Sequence, residues 1–537
     1  MIAVLGVYAG IFTSQAPAIA ATAPQPVKSI SIHGSMTAAG AWSYNYSPYE
    51  RYSSPIGSYL TLNDDGTFTR VEANESKAAI YIETYSSSDF QIQSTKTLDM
   101  RAPWEDYDRE TLKKPLFGGI YFGEEYNYVF LGQKNETEDD TKDVIRFVRY
   151  TPDWEIVDAY NLCHINTFEP FAAGSLRCTE YGDMLYVHTC HEMYKSSDGY
   201  NHQANLRFCF NQETGEISDQ HYVVSNEKEG YSSHSFNQFI ETTGKDVYTL
   251  DHGDAYPRGI LLSKYAGKAG TELGRPTATQ TVLTFPGSIG DNSTKAAVGG
   301  LAVTPTKCLI LYNQASSGSQ RSVYLGSIAK DEIGSGSMQI TTLDTPEDGG
   351  TCGVPMLTEL PDDRYLVRWQ IYSKEGSIIK QSHYTILDSE GNVQSCPEAI
   401  DAFLSDCQPA VSDDGVVTWY TTGNSSGSAT VPTFFQLNTE TGEFTSKQAY
   451  SLTILKAPVL KTVNKKKGVL SGTGPKNSTI HIQFAGREFI VNCNKKKNFK
   501  LTLRKAYKKK LKSGSKITVW ATKDGYGDSK KVTYKVN

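Results

Sequence analysis

Histidines are concentrated in one stretch of this chain. Seven of its ten histidines lie between His164 and His252, among acidic residues, tyrosines and an arginine. Imidazoles and carboxylates are the groups that bind divalent metals and transfer protons. The residues of this stretch best suited to catalysis or ligand binding are His191, Glu192, His202, His234, His252, Asp254, Tyr256 and Arg258.

Two segments within this stretch align without gaps. Residues 185–194 and 247–256 both have Tyr at their second and tenth positions. In this alignment His191-Glu192 occupies the same places as Gly253-Asp254. If both segments are second strands of adjacent sheets, the loops after them lie on one rim. Loops that enter the first strands, which carry His164 and His234, are predicted on that rim too.

Three interpretations of this predicted rim remain open. The residues could brace loops, they could bind a sugar or peptide, or they could catalyse a reaction. For ligand binding the candidates are His191, Glu192, His202, His234, His252, Asp254 and Arg258. One divalent metal is a possible cofactor, with His191, His202, His234, His252 and Asp254 as its candidate ligands. A metal-free uronate lyase would instead use His191 or His252 with Tyr256 and Arg258.

The elements that must position these residues are predicted to be β-strands. Between about residues 57 and 450 a polar turn repeatedly joins strands rich in Tyr, Val and Leu. Successive second strands lie roughly 55 to 60 residues apart, which is typical of four-stranded propeller blades. The second strands are predicted at 126–131, 184–190, 246–251, 308–312, 365–371 and 416–420. With an N-terminal unit near 59–98, the pattern predicts about seven blades. Six or eight blades and an array of β-sandwiches are the alternatives.

The chain is predicted to have four parts. Residues 1–20 contain an apolar stretch followed by Ala18-Ile19-Ala20, a small-x-small pattern typical of an export signal, although no basic residue precedes Lys28. Segment 21–56 is available to complete the propeller, which occupies 57–450. A basic domain fills 456–537. No later apolar run is long enough to predict a transmembrane segment.

Several enzyme and metal-site classes lack their motifs here. The chain has nine cysteines but no CxxC pattern, and it contains no GxSxG, HExxH or phosphate-binding loop. Ser412-Asp-Asp-Gly415 resembles a sialidase Asp box with the wrong spacing, and an ordinary blade turn explains it. The odd cysteine count does not predict a disulfide framework.

The C-terminal part differs sharply in charge. Residues 456–537 hold 22 of the 53 Lys and Arg but three of the 59 Asp and Glu, giving +19 there and −25 elsewhere. Triple lysines at 465–467, 495–497 and 508–510 adjoin predicted turns. They could form a solvated face or bind a cell-wall polyanion such as teichoic acid. Nucleic acid is not predicted, because aromatic residues do not alternate with these lysines.

The order of residues in this part resembles bacterial immunoglobulin-like repeats. The matching features are Ser471-Gly-Thr-Gly474, the segment 514–527 and the alternating strand 532–536. The resemblance implies a spacer or attachment module at the surface of a Gram-positive bacterium. Together these observations predict a secreted, all-β protein. It would have a β-propeller of about seven blades that binds an extracellular glycan or peptide, and an immunoglobulin-like β-sandwich near the cell wall. A propeller enzyme, either polysaccharide lyase or metal-assisted hydrolase, is the alternative.

Overall fold

The computed structural model describes residues 25–26, 56–104, 114–222, 229–291, 293–317, 320–346, 349–375, 378–421, 432–451, 453–523 and 526–537. The predicted export signal and most of segment 21–56 lie outside these residues. The chain divides into a larger unit, Val27–Ala449, and a smaller unit made of Met1–Pro26 and Tyr450–Asn537. In the smaller unit, β1 (Gln25–Pro26) pairs with β32 (Tyr450–Ser451).

The larger unit is built of consecutive antiparallel meanders, here called blades 1 to 7, with four strands each, or five where the first strand is divided. A single residue pair, Ala204 with Ser233, joins blades 3 and 4 into one sheet. Blade 1 contains β2 (Ser58–Leu62), β3 (Phe68–Asn74), β4 (Ala79–Tyr85) and β5 (Ile92–Asp99). Blade 2 contains β6 (Leu116–Phe122), β7 (Asn127–Gly132), β8 (Ile145–Tyr150) and β9 (Ile156–Leu162). Blade 3 contains a divided inner strand, β10 (Thr167–Pro170) and β11 (Arg177–Tyr181), then β12 (Met184–Lys195), β13 (Asn201–Asn211) and β14 (Ile217–His221).

The remaining blades repeat this plan. Blade 4 contains β15 (Ser233–Thr242), β16 (Val247–Tyr256), β17 (Gly259–Tyr265) and β18 (Ala278–Thr284). Blade 5 contains β19 (Ala297–Val303), β20 (Lys307–Ser317), β21 (Gln320–Ala329) and β22 (Gln339–Asp344). Blade 6 contains β23 (Thr351–Cys352), β24 (Met356–Leu360), β25 (Arg364–Tyr372), β26 (Ile378–Leu387) and β27 (Glu398–Ile400). Blade 7 contains β28 (Ala410–Val411), β29 (Val416–Thr421), β30 (Thr433–Asn438) and β31 (Phe444–Gln448).

Short helical turns interrupt this β structure. Three of them are single 3₁₀ turns in the larger unit, at Glu75–Lys77, Ala102–Trp104 and Pro361–Asp363. Among the described residues, no helix has the length and apolar character that crossing a lipid bilayer requires.

The blades form a closed ring. Tyr59 at the start of blade 1 bridges to Gln408 at the entry of blade 7. Tyr420 of blade 7 donates a 3.1 Å hydrogen bond to the buried Glu72 carboxylate of blade 1. The Phe434 ring stacks on Phe90 with a centroid separation of 4.4 Å. Stacked aromatic rings bury large apolar areas, so these contacts stabilise the closure between the last blade and the first. Among the described residues, no strand is shared between these two blades.

The cores of the larger unit lie between neighbouring blades. Side chains that alternate along each strand pack against the sheet beside them, as Val129 and Ile80 do between blades 2 and 1. Similar clusters contain Phe147 and Phe208 between blades 2 and 3, and Leu250 and Ile310 between blades 4 and 5. The sequence prediction of an all-β propeller is confirmed, and each predicted second strand is present.

The smaller unit is a two-sheet sandwich. Its short parallel pair joins β33 (Thr453–Ile454) to β40 (Tyr526–Gly527). One sheet contains β34 (Val459–Asn464), β35 (Val469–Thr473) and β38 (Asn498–Thr502). The other contains β37 (Arg487–Asn492), β36 (Thr479–Phe484), β39 (Lys516–Thr522) and β41 (Val532–Lys535). A single helical turn, α1 (Lys505–Lys508), follows β38. Ile482, Phe499 and Val519 lie in the shared core. The relationship of this unit to bacterial immunoglobulin-like repeats stays a prediction.

Candidate functional site

An axial cavity of about 300 Å³ lies at the centre of the ring. The innermost strand of every blade, or the residues just before it, contributes to the wall. One lining residue from each blade, in order, is Tyr59, Tyr121, Arg177, Glu241, Gly300, Met356 and Asp406. Propellers bind ligands at such axial sites because side chains from many strands converge there.

Arg177 supplies a positive charge to this cavity. Its Nη1 donates hydrogen bonds to Ser175 Oγ at 2.8 Å and to Asn237 Oδ1 at 2.9 Å. The guanidinium also lies 3.7 Å from the ring centroid of Phe239, in a cation–π contact. Burial lowers the pKa of Arg177 to about 10, against the opposing effects of Tyr59 and Glu241. The guanidinium is therefore charged at neutral pH and held in one orientation.

A buried hydrogen-bond network stands behind Arg177. Gln238 accepts a bond from the Ser175 amide, and its Nε2 donates to Ser235 Oγ at 2.7 Å. Ser235 Oγ donates to Asp251 Oδ1 at 2.7 Å, and His188 Nε2 lies 3.0 Å from the other oxygen of that carboxylate. Since these polar groups are buried and partnered, the network fixes blades 3 and 4 around Arg177.

Glu241 is a carboxyl of the cavity whose pKa is strongly displaced. Burial, and then the nearby Glu359 carboxylate, raise the pKa of Glu241 to about 8, although Arg177 acts in the opposite direction. Burial also raises the pKa of Glu359. Glu241 therefore keeps its proton at neutral pH and is able to donate a hydrogen bond.

Neutral phenol and thiol groups complete the polar lining. Burial raises the pKa of Tyr59 and of Tyr121 far above the ordinary value for a phenol. Burial likewise raises the pKa of the Cys178 thiol. Tyr59 donates to the Ile56 carbonyl at 3.0 Å. The cavity thus presents one fixed cation, a protonated carboxyl and neutral hydroxyls, together with the Asp406 carboxyl, which accepts hydrogen bonds from the Gly57 amide and the Ser58 hydroxyl. This arrangement is suited to a small polar group.

The predicted histidines occupy different environments. His191 and His252 lie within β12 and β16, and the loops predicted there do not exist, because both strands continue and pair beyond these positions. Both side chains are buried. His191 Nδ1 lies 2.6 Å from Thr167 Oγ1, and His252 Nε2 lies 3.0 Å from the Ala296 carbonyl. Burial lowers the pKa of His252 to about 4. These contacts support the bracing interpretation for both residues.

Three other predicted residues are brought together. His234 Nδ1 lies 2.9 Å from Asp254 Oδ1. Arg258 donates to the Asp254 carbonyl at 2.7 Å. Its guanidinium also donates to the carbonyls of Phe285, Pro286, Ser288 and Asp291. Because carbonyls of the following loop engage this guanidinium, Arg258 organises that loop.

The remaining predicted residues lie apart from this group. His202 pairs with Asp198 on the exposed surface, with 2.7 Å between Nε2 and Oδ2. Glu192 is partly buried, and burial together with Glu169 raises its pKa. Tyr256 is 45% exposed and lines a shallow pocket of about 470 Å³ beside Arg258.

A metal site at the predicted rim has no geometric support. Within the described ranges, no group of three or more His, Cys, Asp or Glu side chains is arranged to hold a metal ion. The nine cysteines are free thiols. The divalent metal stays a prediction. The sequence analysis did not predict the axial cavity. Its signal was the placement of charged residues in first strands, as at Arg177 and Glu241.

The comparisons with known proteins show distant structural likeness. No family model and no curated protein sequence matches this chain. The β-propeller domain of the Trilobed protease from Pyrococcus furiosus is 10% identical with a TM-score of 0.34, over 65% of this chain and 82% of that chain. A post-proline cleaving enzyme from Rickettsia typhi is 10% identical with a TM-score of 0.39, over 83% and 58%. An α-L-arabinofuranosidase of Fusarium graminearum, solved with arabinobiose, is 10% identical with a TM-score of 0.36, over 74% and 96%.

Proposed function

We propose that this protein is a secreted propeller that binds an extracellular glycan or peptide, with a polar group of the ligand entering the axial cavity. The observation that carries the proposal is that Arg177 and Glu241 both line one cavity. The charged guanidinium would donate hydrogen bonds to a carboxylate or sugar oxygen. The protonated Glu241 would donate to a hydroxyl or carbonyl oxygen, and Tyr59, whose own proton is bonded to the Ile56 carbonyl, would accept from a hydroxyl.

Attachment to a cell surface is the second part of the proposal. The triple lysines 465–467, 495–497 and 508–510 are all exposed. A flexible ammonium suits repeated phosphates better than one shaped site. The smaller unit would therefore hold the protein near a wall polyanion such as teichoic acid through salt-sensitive contacts.

An enzyme is the second candidate function, and the pKa of Glu241 favours it. A carboxyl that keeps its proton near neutral pH is suited to general acid catalysis. Glu359 lies close enough to raise the pKa of Glu241, so the two carboxyls could divide the roles of acid and base. A polysaccharide lyase or hydrolase would then use these carboxyls as its catalytic groups, in place of the histidines of the predicted rim. Metal-assisted hydrolysis at that rim is kept as the remaining proposal.

A Glu241→Gln variant separates these candidates. Gln resembles the protonated carboxyl in shape and can donate a hydrogen bond, but it cannot transfer a proton. Full-length protein and the variant would be screened against the same glycan and peptide arrays, and bound ligands analysed for cleavage. Retained binding with intact ligand supports a binding protein, whereas cleavage by the parent protein that the variant lacks supports an enzyme.

A matched pair of variants controls this test. Arg177→Gln removes the cation of the cavity, while His202→Gln changes an exposed histidine outside it. We expect at least tenfold weaker binding for Arg177→Gln and none of this loss for His202→Gln. Equal binding by both folded variants would contradict the axial site.

A further inference from the structure

Basic residues of the smaller unit are concentrated at one end of its sandwich. At this end, here called the basic end, the turn 465–467 joins β34 to β35, and β38 leads into the stretch 504–512. Three exposed lysines lie in the turn, and six exposed Lys or Arg lie in the stretch. Arg487, Lys516 and Lys535 are also exposed and bring the number of basic residues at the basic end to twelve.

The stretch 504–512 connects the two sheets at the basic end. The amide of Leu503 donates to the Gly468 carbonyl, so the stretch begins directly beside the lysine turn of the first sheet. Arg487 is the first residue of β37 in the other sheet, and its guanidinium lies 5.8 Å from the ring centroid of Tyr507. Basic residues from both sheets therefore lie together.

Strands β39 and β41 bring further lysines to the same end. Lys465 donates to the main-chain oxygen of Asn537, which follows β41, at 2.9 Å. Lys516 and Lys535 lie directly opposite each other in the first residue pair of β39 with β41. Like charges that face each other on neighbouring strands destabilise a sheet. The free protein thus carries a repulsive pair here, which an anionic ligand would relieve.

Acidic side chains do not neutralise the basic end. Within the described part of the smaller unit, none of the twelve basic side chains lies within salt-bridge distance of an Asp or Glu. Glu488 follows Arg487 in β37, but its Oε1 lies 2.6 Å from Nδ1 of His481 on the neighbouring strand. A concentrated positive charge of this kind attracts polyanions.

The opposite end of the sandwich has fewer basic residues. The Gly474 amide donates to the Lys497 carbonyl, which places the turn 495–497 at the far end of β35 from the basic end. Seven basic residues lie there, at 476, 495–497, 523 and 530–531. The two ends belong to one unit and differ in charge, so they provide an internal comparison.

We propose that the basic end is the docking surface for a wall polyanion with repeated phosphodiester groups. The proposal rests on the wall attachment proposed above and assigns that attachment to one surface. Ten of the twelve basic residues are lysines, whose flexible ammonium groups suit phosphates repeated along a polymer. Tyr507, the aromatic residue of the stretch 504–512, already has Arg487 and Lys510 against its ring. This arrangement does not favour stacking of nucleic-acid bases there.

Two triple variants of the full chain test this assignment. Lysines 508–510 are replaced with Gln in one variant and lysines 495–497 in the other, so both variants lose the same charge from exposed positions. Binding to purified teichoic acid is measured from low to high salt. We expect the 508–510 variant to bind about a hundredfold more weakly than the parent protein at low salt, and the 495–497 variant about tenfold. The 508–510 variant should also have the shallower dependence on salt concentration.

Two double variants repeat the comparison with other residues. Lys516→Gln with Lys535→Gln changes the basic end, and Lys476→Gln with Lys530→Gln is the matched control at the opposite end. We expect the first double variant to bind teichoic acid more weakly than the second. It should also be more stable than the parent protein in urea unfolding without ligand, because the opposing charges are gone.

The possible results separate the docking surface from wall attachment. Equal losses of affinity in the two triple variants would overturn the docking surface and leave wall attachment in place. If the parent protein does not bind teichoic acid, or if neither triple variant binds it more weakly, wall attachment fails and the docking surface fails with it. Single-stranded DNA with the same number of phosphates is the remaining comparison. Tighter binding of this DNA than of teichoic acid would overturn the proposal in favour of a nucleic-acid ligand.

Discussion

Glu241 is the residue whose proton most directly links the axial cavity to pH. Its pKa is about 8 in the folded protein and 4.5 for the free side chain. Between these values the folded state binds more protons than the unfolded state, so this residue lowers stability as pH rises. We expect Glu241→Gln to be more stable than the parent protein at the upper end of this window, by on the order of 2 kcal/mol. Urea unfolding across this pH range measures the difference.

The control for this prediction is an exposed carboxyl. Glu375 lies at the surface, outside the axial cavity, and Glu375→Gln should leave the same pH dependence in place. If the parent protein and Glu241→Gln lose stability in parallel as pH rises, Glu241 is ionised in the folded state and the general acid candidate fails with it.

The lowered pKa of His252 predicts that the free energy of unfolding decreases as pH falls. Burial lowers its pKa from 6.5 to about 4, against Asp254, which acts to raise it. Because the unfolded state binds the proton first, the contribution of His252 disappears as pH falls from 6.5 to about 4. A His252→Gln variant, which can still donate to the Ala296 carbonyl, should show a flatter dependence in this window. His202→Gln changes an exposed imidazole and should follow the parent protein.

At the scale of elements, second strands were predictable because their burial is continuous. Segments such as 365–371 have apolar or aromatic residues at nearly every position, and the structure has β25 there. The ends of β12 and β16 were not predictable. His191 and His252 are polar, so the sequence pattern placed them in loops, whereas both strands continue because neighbouring strands supply backbone partners. Polar residues buried by tertiary pairing carry no periodic signal.

The candidate site was missed for a related reason. Arg177 stands in β11, which has no histidine, and Glu241 lies at the opposite end of β15 from His234, the residue of that strand that the sequence pattern singled out. They meet because a ring of blades brings the innermost strands to one axis, which is a property of topology rather than of local sequence. The histidine cluster was visible in composition, yet its members have partners in several separate places.

Ring closure gives a prediction at the scale of elements. Phe434 of blade 7 stacks on Phe90 of blade 1, and Tyr85 lies 5.0 Å away edge-on. Phe434→Ala should lower the free energy of unfolding by about 3–5 kcal/mol, because a large cavity opens at the closure. Hydrogen exchange should accelerate first in β4 and β30.

The matched variant for this prediction is Phe208→Ala, which opens a cavity between blades 2 and 3. It should cost similar stability but accelerate exchange in β8 and β13 instead. If both variants accelerate exchange equally throughout the larger unit, the contacts between blades 7 and 1 are not a separate point of opening.

At the scale of the whole molecule, one chain carries two bodies of opposite charge. The stretch 456–537 has a charge of +19, and the rest of the chain has −25. Charge of this size governs association with polyanions and its dependence on salt, and it has little influence on the fold. The core of the two-sheet sandwich contains Leu470, Ile480 and Phe499, whereas its triple lysines lie at the surface.

The final prediction concerns those lysines. Replacing Lys495, Lys496 and Lys497 with Gln should weaken binding to purified teichoic acid by about tenfold at low salt. With three fewer ammonium groups on the protein, fewer counterions are released from the polyanion on binding. The remaining affinity should also depend less steeply on salt concentration. Replacing three exposed lysines of the larger unit, Lys195, Lys245 and Lys374, changes net charge equally and serves as the control. If both triple variants weaken binding equally, net charge rather than the basic unit attracts the polyanion; if neither does, the wall-attachment proposal fails.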